Sequence, residues 1–357
     1  MRRREFITLL GGAAAWPLTA RAQQVRKIPR LGILIPGTAD PPATLGFYDG
    51  LRELGYTDGQ NIAIERLYGN WRSDRFGEFA AELVQMNVDV IVVMSTSPAR
   101  AAKEATSTIP IVVASMADPV GDELVASLSR PGGNITGTTF LGPELTAKRM
   151  GLLKEAIPKI SRVAVLWHPH AYGKRTAEGL LNETKSAALA LGWQFQLVAA
   201  ENPSDLDVAF SAITAGSPDA LVLLNSPMFY TEHIHIVDLA AKSHLPAVYA
   251  AREFADAGGL MAYGANLPEV FRSAATYVDK ILKGAKPTDL PVKTLRGITA
   301  SRILGTIVMR RAKNRKNLSS ARHYDQIRFR FRTAKTRCGS RVGENAVMHN
   351  TAFPTTW

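Results

Sequence analysis

The 357-residue chain predicts an α/β fold of two lobes, each a doubly wound parallel sheet, on three observations. Short, continuous apolar runs recur along residues 30–265, amphipathic stretches with helical spacing separate them, and two glycine-rich breaks divide the pattern into similar halves. Runs that are apolar throughout, rather than alternating, are expected of strands covered on both faces. Their regular interleaving with helices is the signature of parallel sheets.

The strands are read, in order, as "RLGILIPG" (30–37), "VDVIVVMS" (88–95), "IPIVVAS" (109–115) and "RVAVLWHP" (162–169), then "FQLVAA" (195–200), "ALVLLNSP" (220–227), "PAVYA" (246–250) and "GLMAYGA" (259–265). Helical spacing marks 43–55, 74–87, 144–157, 173–191, 230–244 and 268–284. "SRPGGNITGTTFLGPEL" (129–145) and "REFADAGGLMAYGANLPEV" (252–270) carry the breaks, where Pro and Gly punctuate the chain. The chain is therefore expected to form lobe 1 from 23–136 and 258–292 and lobe 2 from 137–257. Ligands of open α/β sheets bind outside the carboxyl ends of the strands, and two facing lobes would bring those ends to one cleft.

Both ends differ from this body. "MRRREFITLLGGAAAWPLTARAQQ" opens with arginines, continues with a short apolar run too short to span a membrane, and reaches the A-x-A pattern Ala20-Arg21-Ala22. "RREFI" resembles the twin-arginine export signal. Residues 1–22 are thus expected to be removed on export to the periplasm, with no stable membrane insertion afterwards. At the other end, residues 293–357 hold fifteen Lys and Arg against Asp325 and Glu344. The first 292 residues carry a net charge of −1, so the total of +12 belongs to the tail. Basic character of this kind ordinarily suggests nucleic acid, but an exported protein seldom meets it and none is expected as a partner. The lone Cys338 allows neither an intrachain disulfide nor a thiolate cluster.

The loops that follow the strands hold the candidate ligand-binding residues. "MSTSPARAAKEA" (94–105) opens a helix, with Ser97 as a plausible N-cap and Pro98 at the first helical position. There the hydroxyls of Ser95, Thr96 and Ser97 and free backbone N–H groups are suited to a ligand carboxylate, beside the plain capping role. Asp118 in "ASMADPV" is either a turn residue or an acceptor for a ligand ammonium. "LWHPHAYG" contributes His168 and Tyr172, and "NSPMFY" contributes Asn225, Ser226, Phe229 and Tyr230, groups suited to a small amphiphilic ligand, although Phe229 and Tyr230 could equally start a helix packed on the core. Arg252 stands at the second break as a ligand contact or an interlobe ion pair, and Tyr263 follows a strand. His233 and His235 fall on different helix faces and His168 and His170 have no third ligand, so no metal is expected. No G-x-S-x-G, P-loop or H-E-x-x-H occurs in the sequence. The chain is expected to be neither an enzyme nor a cofactor carrier.

The export signal, "LGILIPG", "GYTDGQNIAIE", "STSPARAAKEATSTIPIVVASMADPV", "SLSRPGGNITG", "RVAVLWHP" and "YAAREFADAGGLMAYGAN", in this order, resemble the bacterial ABC-transporter substrate-binding proteins of the type 1 periplasmic-binding fold. The resemblance covers about residues 1–292 and is narrowest to the branch that includes binders of aromatic amino acids. It implies two lobes joined by hinge crossovers, capture of a small molecule such as an amino acid in the interlobe cleft, and delivery to an inner-membrane ABC permease. A ligand-sensing subunit for a membrane receptor is the alternative on the same fold. The resemblance also implies a final strand crossing between the lobes after Pro291. The tail from Lys293 lacks that apolar pattern, so it is expected to be an aberrant, poorly ordered basic extension. A frameshift would produce such an end and leave a binding-defective version of the protein.

Overall fold

The computed structural model describes residues 28–140, 144–294 and 298–302. The first lobe is built on strands β1 (Arg30–Ile35), β2 (Ala63–Tyr68), β3 (Val90–Val93), β4 (Ile111–Met116) and β5 (Ile135–Thr139). The second is built on β6 (Arg162–Trp167), β7 (Gln194–Ala199), β8 (Ala220–Leu223), β9 (Ala247–Tyr249) and β10 (Met261–Ala265). Two late strands, β11 (Lys293–Thr294) and β12 (Ile298–Arg302), complete one sheet each, in the orders β11-β5-β4-β3-β1-β2 and β12-β10-β9-β8-β6-β7. All pairs are parallel except β10 with β12. This is the two-lobed, doubly wound architecture expected from the apolar runs.

Helices α1 (Thr44–Glu53), α2 (Phe76–Gln85) and α3 (Thr96–Ala105) flank the first sheet. The second carries α4 (Glu144–Ala156), α5 (Lys174–Ala190), α6 (Leu206–Ala215), α7 (Pro227–Thr231), α8 (His233–Lys242) and α9 (Arg252–Asp256). The stretch read as one helix over 230–244 is thus two, α7 and α8, meeting at Glu232. The last helix, α10 (Leu267–Leu282), returns to the first lobe and packs along α1 and over β4 and β5. Gly46 permits that packing, because a Cβ there would overlap the Pro268 carbonyl.

Four strands escaped the apolar pattern, β2 and β5 first among them. β2 is an edge strand, half-buried along its whole length, so it tolerates charge. Glu65 pairs with Arg30 at 3.2 Å, and Arg66 pairs with Asp58 at 3.2 Å. β5, "ITGTT", is fully buried yet rich in Thr. Its hydroxyls donate to backbone carbonyls: Thr136 to Leu290 at 2.7 Å, Thr139 to Met116 at 2.9 Å, and Thr138 to Ala114. Polar side chains are accommodated in a core when each finds such a partner.

The lobe boundaries need correction. β5 pairs with β4 in the first sheet, so the chain leaves lobe 1 after Thr139 rather than at 136. β10 pairs with β9 in the second sheet, so it returns after Ala265 rather than at 258. The tail boundary at 293 is also too early. β11 joins β5 through Lys293 and Thr294, and β12 runs antiparallel to β10 from Ile298 opposite Ala265 to Arg302 opposite Met261. The last crossover, expected to be missing, is therefore present. It was overlooked because "KTLRGITASR" is polar and short, as edge strands can be. The export signal and the tail beyond Arg302, with its frameshift reading, lie outside the described residues.

Candidate functional site

The carboxyl ends of β3, β4 and β5 face those of β6 and β8, and a narrow cavity of about 50 Å³, open to solvent, lies between them. From the first lobe it is lined by Pro41, Ala43, Met94, Ser95, Thr96 and Ser115, with Phe140 at the crossover and Leu267 and Phe271 from α10. The second lobe supplies Ala171, Tyr172, Asn225, Ser226, Pro227 and Tyr230. The wall is thus mostly apolar and aromatic, with a few hydroxyls and one amide, and none of these residues carries a formal charge.

Of the residues expected to bind ligand, Ser95, Thr96, Tyr172, Asn225 and Ser226 meet at this cavity. Ser95, not Ser97, is the N-cap of α3, in extended conformation (φ −160°, ψ 178°) and with no side-chain capping bond. Pro98 is therefore the third helical residue, still within the first turn, where its missing N–H costs no intrahelical bond. Thr96, buried, accepts the Ala117 N–H at 3.4 Å and ties α3 to the loop after β4. The first turn of α3 leaves backbone N–H groups and the positive end of the helix dipole at the cavity edge.

Tyr172 donates its hydroxyl to the Asn225 carbonyl, and burial drives its pKa well above the ordinary tyrosine value. Ser226 caps α7 by accepting the Met228 N–H at 3.1 Å, and its hydroxyl lies 2.8 Å from His168 Nδ1. His168 itself stands behind Ser226, outside the lining. Burial first, and the neighbouring His170 second, lower its pKa to about 4.

The other expected residues lie away from the cavity wall. Ser97 donates to the His170 carbonyl across the lobes at 2.6 Å. Asp118 accepts the Gly121 N–H at 2.8 Å and is a turn residue. Arg252 is exposed and pairs with Asp256 one helical turn on, at 3.1 Å. Tyr263 lies on β10, where its carbonyl accepts from Arg149 at 3.4 Å.

Sequence reasoning left Tyr230 open between a ligand contact and the start of a packed helix, and passed over Arg149. Tyr230 lines the cavity with a buried hydroxyl that has no hydrogen-bond partner among the described residues, although the Glu253 carboxylate is close. Burial and that carboxylate both raise its pKa. Arg149 is 2% exposed; its guanidinium donates to Thr146 Oγ1 at 2.8 Å and to the Tyr263 carbonyl, while Nε has no acceptor. No carboxylate pairs with it among the described residues. Burial lowers its pKa to about 10, so it remains charged at neutral pH, within the field of Tyr172 and Tyr263. The signal was in the spacing: Thr146, Arg149, Met150 and Leu153 form the buried stripe of α4.

Comparison with known proteins gives the same picture. A family model described as ABC transporter substrate binding protein matches residues 34–301. A tyrosine-binding protein of Clostridioides difficile is 27% identical over 256 residues, covering 71% of this chain and 72% of that protein. A conserved domain protein of Vibrio cholerae superposes with a TM-score of 0.70 at 27% identity, over 77% of this chain and 92% of its own. The ABC domain of Streptococcus pneumonia in complex with L-Trp gives 0.68 at 22% identity, over 80% and 94%, and speaks for the fold alone. With two parallel-sheet lobes around an interlobe cavity and a family match over most of its length, the chain belongs to the ABC transporter substrate binding proteins of the type 1 periplasmic-binding fold.

Proposed function

We propose that this protein is the periplasmic solute-binding component of an ABC importer and that it captures an aromatic amino acid between its lobes for delivery to an inner-membrane permease. The observation that carries the reading is the cavity. Aromatic and apolar walls (Phe140, Phe271, Leu267, Tyr230) suit a flat side chain, and the first turn of α3 with Ser95 and Thr96 suits a carboxylate. The similarity to a tyrosine-binding protein supports the same ligand class. Export through the twin-arginine route rests on residues 1–22 and on the family's work at the membrane.

Binding needs no chemistry. An open cleft admits the ligand, contacts from both lobes favour the closed form, and the permease reads that form; the differential affinity for the closed state drives the change. Calorimetry with L-tyrosine, L-tryptophan, L-phenylalanine, L-leucine and glucose tests the reading. Binding of one or more aromatic amino acids, weakened by Thr96→Val, is expected. Wild-type protein that binds none of the three would sink the ligand class. Full affinity in the Thr96 variant would sink the assignment of α3.

A further inference from the structure

The lobes also touch beside the cavity, at a place none of the lining residues occupies. Asp122 follows β4 in the first lobe, and its side chain is fully buried although it is charged in water. It is covered by the second lobe. Gly173, the N-cap of α5, and Thr176 in the first turn of α5 lie against its carboxylate, although neither carboxylate oxygen has a hydrogen-bond partner among the described residues. Arg100 of α3 stands at the edge, donating to the Asp122 carbonyl at 3.2 Å with its guanidinium 3.9 Å from Oδ1. Next to this contact, α3 meets the turn at residues 169–171, where Ser97 donates to the His170 carbonyl at 2.6 Å.

The contact is close enough that any side chain on Gly173 would have to displace its neighbours. A Cβ on Gly173 would lie 2.5 Å from the Arg100 guanidinium and closer still to Asp122 Oδ1. Gly173 has φ −65° and ψ 157°, an extended conformation that any L-residue adopts, so its own backbone does not require glycine. What requires it is the first lobe. A carboxylate set at the amino end of a 17-residue helix also meets the positive end of that helix's dipole.

We infer that Asp122 and the amino end of α5 form a closing latch between the lobes, one that sets ligand affinity without touching the ligand. The contact joins groups on different lobes, so it is made when the cleft shuts and lost when it opens. Gly173 is the keyhole, and Arg100 and Ser97 hold the rim. The affinity part of the inference rests on the proposed capture of an aromatic amino acid; the conformational part does not.

Gly173→Ala is the discriminating variant, because it leaves each separate lobe unstrained and obstructs only their contact. Single-molecule energy transfer between a dye on each lobe would report the closed fraction, first without ligand and then with L-tyrosine. Gly173→Ala is expected to deplete the closed fraction in both conditions and to weaken tyrosine binding by about tenfold or more. Adding Asp122→Ala, which empties the space the new methyl needs, is expected to restore part of both. Thermal unfolding of Gly173→Ala is expected to match that of wild type. A closed fraction unchanged by Gly173→Ala, a wild type with no closed fraction, or a double variant without recovery would each overturn the latch. Wild type that closes but does not bind tyrosine would instead remove the ligand assignment and leave the latch standing.

Discussion

His168 Nδ1 lies 2.8 Å from the Ser226 hydroxyl, and that hydroxyl accepts the Met228 N–H at 3.1 Å. The pair joins the loop after β6 to the loop after β8 and holds Ser226 at the cavity wall. The Ser226 hydroxyl is thus held both by the first turn of α7 and by the imidazole.

The first prediction concerns its pH dependence. Folded His168 has a pKa near 4, below the ordinary histidine value of about 6.5 that it regains on unfolding. As pH falls through that interval the unfolded chain takes up a proton that the folded protein refuses, so stability declines. The loss levels off below the folded value and amounts to roughly 3–4 kcal/mol. Urea unfolding at several pH values between those limits should show a steeper decline in wild type than in His168→Gln. Equal slopes would count against a buried neutral imidazole.

The latch makes ligand binding pH-dependent in a defined direction. Burial is the largest influence on Asp122 and raises its pKa; Asp118 adds to the rise, while Thr176, Arg100 and the Gly173 N–H oppose it. Tyr172 also faces it from the second lobe and stays neutral. Opening returns the carboxyl to water and to its ordinary range, so closure takes up a proton in the interval between the two values. Affinity should therefore rise as pH falls through the raised value, then level off below the ordinary carboxylate range. Calorimetry in buffers of different ionisation enthalpy would detect the proton. Asp122→Asn should remove both the uptake and the slope.

Arg149 tests whether a buried cation serves the ligand or the fold. A guanidinium without a carboxylate is costly to bury, and a similar-sized apolar residue is often tolerated in such a place. Arg149→Met is expected to leave thermal stability unchanged or higher while lowering affinity for ligands with a carboxylate. Loss of more than about 3 kcal/mol of stability would instead mark Arg149 as a structural donor to Thr146 and Tyr263.

Tyr230→Phe removes a buried hydroxyl that has no hydrogen-bond partner among the described residues. Such a hydroxyl carries a desolvation penalty of about 1–3 kcal/mol, so the variant should be as stable as wild type or more so. If the hydroxyl meets the ligand, affinity falls about five- to tenfold, a fall within reach of one lost hydrogen bond. Full affinity would place the ligand's polar groups elsewhere in the cavity.

Much of this was legible in the residues. Central parallel strands are covered on both faces, so β1, β3, β4, β6 and β8 read as unbroken apolar runs. The strands that escaped were those with other chemistry: β2 at an edge, β5 with its satisfied threonines, and the short β11 and β12. The residues that line the candidate cavity followed the same division. Ser95, Thr96, Tyr172, Asn225 and Ser226 were legible because the ends of parallel strands converge on the cleft. Asp118 and Arg252 occupy similar loops, but one turns back on its own backbone and the other pairs along its own helix. Nothing in a local pattern tells which way such a side chain turns. Phe271 and Leu267 come from a helix that belongs to the first lobe only after the chain has built the second, a placement that depends on the complete topology.

The three passages between lobes, after β5, after β10 and between β11 and β12, leave from one sheet edge and arrive at the other, where β5 neighbours β11 and β10 neighbours β12. A single thread would let two bodies swivel and twist freely. Lobes joined where β5 lies beside β11 and β10 beside β12 would instead leave swing about one axis as the easy motion. A membrane partner that samples the distance between the two rims would then read a single number, and that number would report whether the cleft is full.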